Sequence, residues 1–395
     1  MPPPETPIDD SAIEEPIRKG DARRGRGNRS GFTTGACSAA AARAATLGLL
    51  SGVVPDTVES LLPNGRWVQF AVADGRVEAD SAHAVVVKDA GDDPDATHGA
   101  RLTADVRRIA QIDHIVLKGG PGVGVVTLEG LGLEVGGPAI NPVPRRNILE
   151  NVRAAAGDLL DHAGLEVTIS VPDGEIMARK TLNPRLGIIG GISILGVSGI
   201  VHPYSTAAFR ASVVQAVQMA AAQHQPVVVF TTGGRTEKCA MRQYPEWAES
   251  CFVQMGDFVK AAFNAAQDYG FRRVVLGCMV GKLTKIAQGL PVTHAWRQAI
   301  DRNLLAEAAA EVGAPPDLVE AIGAATTGRF AAEKLAALGL DIAFHRVLAQ
   351  RAWASLNQRY PGCFELDILV CNTEGQPLLT LSHAEALQQH EGSVS

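Results

Sequence analysis

Residues 226–235 read Pro226-Val227-Val228-Val229-Phe230-Thr231-Thr232-Gly233-Gly234-Arg235. A proline opens a short β-branched run and a small-residue turn closes it, the pattern of a buried strand with an open carboxyl end. Upstream, Ser205 is placed to cap a helix whose Phe209, Val213 and Val217 recur at four-residue spacing. Downstream, Phe258, Val259, Ala262, Phe263 and Ala266 mark a second helical face, which Gly270 stops before a further strand at Val274-Val275-Leu276. Strands alternating with helices predict a parallel sheet flanked by helices. Helical patterning follows from about Ala295 to Tyr360, and Phe364 to Val370 is expected to be the last strand.

The first half has a different rhythm. Gly31-Phe32-Thr33-Thr34-Gly35 leads into an alanine-rich helix ending near Leu50, with Thr33 or Thr34 as its cap. Short β-like pieces follow, Trp67-Val68-Gln69-Phe70 and Ala84-Val85-Val86-Val87 among them, with turns expected at Asn64-Gly65 and Asp74-Gly75. Ile115-Val116-Leu117 then runs into eight glycines between Gly119 and Gly137, and Val125-Val126-Thr127-Leu128 within that stretch looks like strand. A second glycine-rich stretch spans Gly187 to Gly199. Interleaved Val, Ile and Leu make both read as tight backbone paths rather than linkers. The expected fold class is therefore α/β in two domains. Residues 30–202 form an N-terminal α+β domain with a mixed sheet, and residues 203–395 a C-terminal α/β domain with a mainly parallel sheet flanked by helices. The Pro-rich, acidic and then basic residues 1–29 are expected to be a mobile tail, in which Arg23, Arg24, Arg26 and Arg29 are either a solvated arm or an anion clamp.

The chain has 395 residues, more than one core usually covers, and 46% hydrophobic against 20% charged residues, which excludes a chain disordered throughout. A net charge of -6 gives no support to nucleic acid as a partner, because phosphate backbones demand a basic excess. Cys37, Cys239, Cys251, Cys278, Cys363 and Cys371 contain no CxxC pair, so reduced thiols are expected instead of a zinc or iron–sulfur site. With no export signal and no apolar run of membrane-spanning length, a soluble, cytoplasmic protein is the expectation.

Four stretches can carry chemistry. Lys118-Gly119-Gly120-Pro121-Gly122-Val123-Gly124 is either a ligand loop for a nucleotide-like group or a glycine-rich hairpin. Lys88 to Gly99 gathers Asp89, Asp92, Asp93, Asp95 and His98, suited to acid–base work, to a hard cation, or to a turn held by Asp side chains. In the α/β half, ligands collect at the carboxyl ends of strands, here Thr231, Thr232 and Gly233 and the run Gly277-Cys278-Met279-Val280-Gly281-Lys282. That run lacks a phosphate loop's four-residue spacing and its Ser or Thr after the lysine, so ATP hydrolysis is disfavoured; Lys282, Lys285 and His294 stand as anion contacts or solvated helix ends. Finally, prolines around Asn141 and Asn183 fix Arg145, Arg146 and Arg185 for carboxylates or for structural turns.

Taken together these motifs resemble the cobalt-precorrin-5B C-1-methyltransferase family, the CbiD family of cobalamin biosynthesis. The resemblance lies in Gly31-Phe-Thr-Thr-Gly-Ala-Cys-Ser, Asp89-Ala-Gly-Asp-Asp-Pro-Asp-Ala-Thr-His-Gly, Gly119-Gly-Pro-Gly-Val-Gly, Gly137-Pro-Ala-Ile-Asn-Pro-Val-Pro-Arg and Thr181-Leu-Asn-Pro-Arg-Leu-Gly. It implies S-adenosylmethionine as methyl donor and a cobalt-containing tetrapyrrole, methylated at C-1, as acceptor. The cobalt belongs to the substrate, so no protein metal site is required, and a homo-oligomer is compatible with it. On that basis Gly119, Gly120, Gly122, Gly124, Thr231, Thr232 and Gly233 are the donor-site candidates. Thr33, Thr34, Arg145, Arg185, Lys282, Lys285 and His294 are the acceptor-site candidates, and Asp92, Asp93, Asp95 and His98 those for acid–base chemistry. The family tends to read Gly-His-x-Gly-Lys where this chain has Cys278-Met279-Val280-Gly281-Lys282. That departure motivates one rival reading, a corrinoid-binding protein without activity; a phosphate-loop nucleotide enzyme is the other.

Overall fold

The structure is a computed structural model that describes residues 27–293 and 299–394. Its first sheet has five strands in the order Asp74–Val77, Ser81–Val87, Arg101–Ile109, Gly164–Ser170, Ile115–Gly119. Neighbours are antiparallel except the last pair, which is parallel, so the sheet is mixed. Helix Thr34–Ser51 packs against this sheet and against helix Pro142–Ala156. Fourteen of its 18 residues are buried, half of them alanines, so it lacks an amphipathic face and fits where a bulkier helix would not. Thr33 caps it by accepting the Ala36 N–H, and Gly52 ends it in the left-handed conformation with φ 81°.

A hairpin, Thr57–Leu61 with Trp67–Ala71, turns at Asn64-Gly65 as expected and is clamped to helix Pro142–Ala156 by Asn147, which donates to the Leu61 carbonyl at 2.7 Å, and by Asn151. Asn151 accepts the Leu61 N–H at 3.0 Å and donates to the Leu61 carbonyl at 2.9 Å. The expected turn at Asp74-Gly75 is instead strand, and the chain reverses at Glu78–Ser81; Gly75 is needed because Val54 sits 2.5 Å from where its Cβ would be. Of the expected tail, residues 1–26 lie outside the described residues, and Arg29 pairs with Asp89.

Between residues 119 and 201 the glycine-rich stretches zip to one another in short ladders, Gly122–Val123 parallel to Gly191–Ile192 and Val125–Val126 antiparallel to Ile188–Ile189. From outside that range Gly31–Phe32 adds a third, antiparallel to Ile200–Val201.

The second large sheet takes the order Phe252–Gln254, Val228–Thr231, Arg273–Met279, Glu365–Cys371, Pro377–Leu381; the first four are parallel and the last antiparallel. In order of appearance the parallel strands lie second, first, third, fourth. Val228, Phe230, Val274 and Leu276 face one core with Phe263 and Trp353, while Val227, Val229 and Val275 face another with Cys239 and Ala240. Covering on both faces is why these strands read as continuous apolar runs. Four helices between Arg302 and Arg359 fill the expected helical region. The largest apolar clusters divide by sequence, one drawn from residues 32–200 and the other from residues 213–387.

Candidate functional site

The motif stretches meet around residues 188–201. Thr34 donates its hydroxyl to the Ser193 carbonyl at 3.1 Å and accepts the Leu195 N–H at 2.9 Å, while the Gly35 N–H reaches the Leu195 carbonyl. On the other side Ile194 and Asn141 exchange backbone hydrogen bonds with Ala139 and Ile194, and Pro144 lies 2.8 Å from where a Gly35 Cβ would be. The starts of helices Thr34–Ser51 and Pro142–Ala156 thus converge on Leu195. Asn183 completes the junction, donating to the Gly191 carbonyl and accepting from the Ser193 hydroxyl. Thr33 and Thr34, expected as substrate contacts, are buried and serve as clasps of this junction.

The acidic loop is buttoned to the same junction. Phe32 N–H donates to the Asp89 carbonyl, and Ala90 backbone lies 2.1 Å from where a Gly31 Cβ would be. The hydrogen bond from Arg29 holds the Asp89 carboxyl down to about 2. Asp92 accepts the Arg29 N–H at 2.7 Å, and Asp93 accepts the Tyr204 N–H at 2.9 Å. Asp95 takes Lys88 Nζ at 2.6 Å and both the N–H and the hydroxyl of Thr97. Burial pushes its carboxyl up, but these hydrogen bonds outweigh burial and leave it below the ordinary range. Of the four acid–base candidates, the three carboxylates therefore hold backbone or counter-ion, the turn-stabilising role. His98 differs: its Nδ1 accepts the Ala90 N–H at 3.1 Å, and its ring is half exposed.

The glycines of residues 119–124 are explained by the chain's own backbone. A Cβ on Gly120 would lie 2.2 Å from Ser170 Oγ, on Gly122 1.8 Å from the Val171 carbonyl, and on Gly124 2.3 Å from Ile188. Gly119 is closed off by Pro138 at 2.6 Å. The stretch is not a hairpin, because Gly122–Val123 and Val125–Val126 pair with Gly191–Ile192 and Ile188–Ile189 and not with each other, and its glycines admit that neighbouring chain.

Arg185, expected to meet a substrate carboxylate, instead forms a bidentate pair with Glu237 at 2.6 and 3.1 Å, and Gln254 donates to the same carboxylate. Glu237 is only 4% exposed. Truncating Arg185 strands it, so Arg185→Ala is expected to cost about 2 kcal/mol in urea unfolding, and Arg185→Lys less, because a lysine keeps charge without the fork. Lys282 donates to the Thr232 and Gly256 carbonyls at 2.9 and 3.2 Å and pairs with Asp257 at 3.0 Å. Lys285 is buried and reaches the Thr293 carbonyl; burial lowers its pKa, which removes it as an exposed anion contact. His294 lies outside the described residues. Arg145 remains as the half-buried cation at the junction whose side chain has no ion-pair partner among the described residues. Cys278, at the family's glycine position, is fully buried, and burial pushes its thiol up to about 12. All six cysteines are free.

The motif stretches meet in backbone contact, and two cavities of about 260 and 270 Å3 lie elsewhere, one on the open sheet face beside His83, Asp105 and Glu166, the other beside His114 and Arg153. Among the described residues no group of His, Cys, Asp and Glu is placed to hold a metal, and no helix is long and apolar enough to cross a membrane.

What this geometry defines is a mixed α/β protein with a glycine-zipped junction in one half and a parallel sheet in the other. The family model described as CbiD matches residues 21–203, and that described as CbiD, C-terminal domain, matches residues 292–380. A protein of Dechloromonas aromatica (strain RCB) named cobalt-precorrin-5B C(1)-methyltransferase is 68% identical over 95% of this chain and 97% of its own length. One of the same name from Polaromonas naphthalenivorans (strain CJ2) is 62% identical over 89% and 97%. A solved structure described as cobalamin biosynthesis protein (cbiD) from Archaeoglobus fulgidus is 29% identical, covering 66% of this chain and 80% of that one, with a TM-score of 0.37, too low to weigh on the fold. The chain belongs to the CbiD family.

Proposed function

We propose that the chain is an S-adenosylmethionine-dependent C-methyltransferase that methylates cobalt-precorrin-5B at C-1 to give cobalt-precorrin-6A. The observation that carries this is the 68% identity, end to end, with a relative named for that activity. The residues fit its chemistry. A ring-contracted tetrapyrrole has apolar faces and a rim of carboxylates. Leu195, 48% exposed, and Val197, 81% exposed, present an apolar shelf at the junction, and Arg145 is the cation placed beside the adjoining helix start. The macrocycle then lies on this exposed shelf of the junction.

In the reaction the carbon–sulfur bond of the donor breaks as the carbon–carbon bond to C-1 forms. S-adenosylhomocysteine leaves as a neutral sulfide, and the positive charge passes to the ring system. Alignment of sulfur, methyl and ring carbon supplies most of the acceleration. His98, half exposed with Nδ1 fixed by the Ala90 N–H, is the group positioned to take a proton from the charged ring. We assign the division of labour to two units, residues 30–202 and 203–395, and place the protein in the cytoplasm, where its free thiols stay reduced. The test is incubation of the purified protein with both substrates. The tetrapyrrole is expected to gain the mass of one methyl group with equimolar S-adenosylhomocysteine, and His98→Ala to slow turnover about a hundredfold. A protein that retains the tetrapyrrole at unchanged mass is a carrier, and the proposal fails.

A further inference from the structure

The second sheet reverses its strand order between Val228–Thr231 and Arg273–Met279, and ligands of such sheets bind outside the carboxyl ends at that reversal. Thr231 forms the floor there. The Met255 N–H bonds its carbonyl from one side, and the Thr232 N–H bonds Gly277 on the other. Thr231 is 0% exposed, yet its hydroxyl has no hydrogen-bond partner. Above it the ten-residue helix Gly234–Gln243 begins with no side-chain cap. A Cβ on Gly233, Gly234 or Gly281 would meet nothing within 4 Å, the opposite of the packed glycines at 120–124.

Asp257 stands at the carboxyl end of the neighbouring strand, 24 residues after Gly233. An acidic residue about 20 residues beyond a glycine turn, on the next strand, is where nucleoside-binding sheets hold ribose hydroxyls. Its Oδ1 is fixed by Lys282 and Thr293, each at 3.0 Å, which leaves Oδ2 without a hydrogen bond among the described residues. Phe209, 44% exposed, stacks on Phe258 at 5.6 Å and lies against Gly256.

We propose that this crevice holds the adenosyl part of the methyl donor. Asp257 takes the ribose diol, Phe209 lies against the adenine, and the open amides of helix Gly234–Gln243 receive the donor's carboxylate. The assignment rests on the donor reading above. Its experiment is titration of the full chain with S-adenosylhomocysteine and with its 2′-deoxyribose analogue, for wild type and Asp257→Asn. Wild type is expected to bind the parent compound about tenfold or more tightly than the deoxy analogue, and Asp257→Asn to weaken the parent and lose the discrimination. A merely structural Asp257 would weaken both ligands equally and keep their ratio. Amide-exchange protection by S-adenosylhomocysteine is expected at residues 231–237 and 255–258. Full discrimination in Asp257→Asn, or protection at residues 119–124 instead, overturns the assignment while leaving methylation standing. Tighter binding of ATP or inorganic phosphate than of S-adenosylhomocysteine also overturns it. Wild type that binds no S-adenosylhomocysteine overturns both the assignment and the function proposed above.

Discussion

Replacing Lys88 by alanine is expected to destabilise the protein by about 3 kcal/mol, the cost of leaving one member of a buried ion pair alone. Lys88 is 1% exposed and its ammonium has Asp95 at 2.6 Å. Without it Asp95 keeps only Thr97, and the loop that carries His98 loses its anchor. Urea unfolding followed by circular dichroism reads the loss, and Lys88→Met with Asp95→Leu should recover much of it, because no charge is then stranded. The pH dependence has a fixed sign. The folded Asp95 carboxyl lies below its ordinary value of about 3.9, so the stability it contributes is complete above that value and lost as pH falls through the folded one. Wild type should therefore lose stability below about pH 4 more steeply than Lys88→Ala. Equal unfolding midpoints at neutral pH would show that the pair contributes nothing.

An alanine at Gly122 is expected to cost still more, about 4 kcal/mol or beyond, and to prevent folding if the margin is small. Gly122 has φ 79°, a conformation that side chains resist, and its Cβ would lie 1.8 Å from the Val171 carbonyl and 3.3 Å from Gly174. Gly234→Ala is the matched contrast: with open space around its Cβ it should shift stability by no more than about 0.5 kcal/mol. If both variants unfold at the same urea concentration as wild type, the glycines of residues 119–124 are not explained by packing.

That contrast also shows where reading a sequence stops. Apolar runs such as Val227-Val228-Val229-Phe230 disclosed the buried parallel strands because burial on both faces writes itself into composition. Strand Phe252–Gln254 has three residues, and helix Gly234–Gln243 buries Thr236 and Glu237 among its few inward positions; neither shows an apolar run. Pro377–Leu381 begins with proline, which its place at the sheet edge permits. The glycine motifs were visible, but a glycine required by a neighbouring backbone and one left open to a ligand look identical in one dimension. Arg185 was marked as rigid, while its partner Glu237 stands 52 residues away and had no signal. Asp257 was missed because no local motif distinguishes a carboxylate that shares a sheet end with Thr231 and Gly233.

The proposed chemistry is tested most directly with S-adenosylmethionine labelled by 13C at the transferable methyl. After one turnover with cobalt-precorrin-5B, carbon NMR should show a single new methyl resonance bonded to C-1, with one S-adenosylhomocysteine released for each. Label on a different ring carbon, or none while both substrates are held, would contradict it.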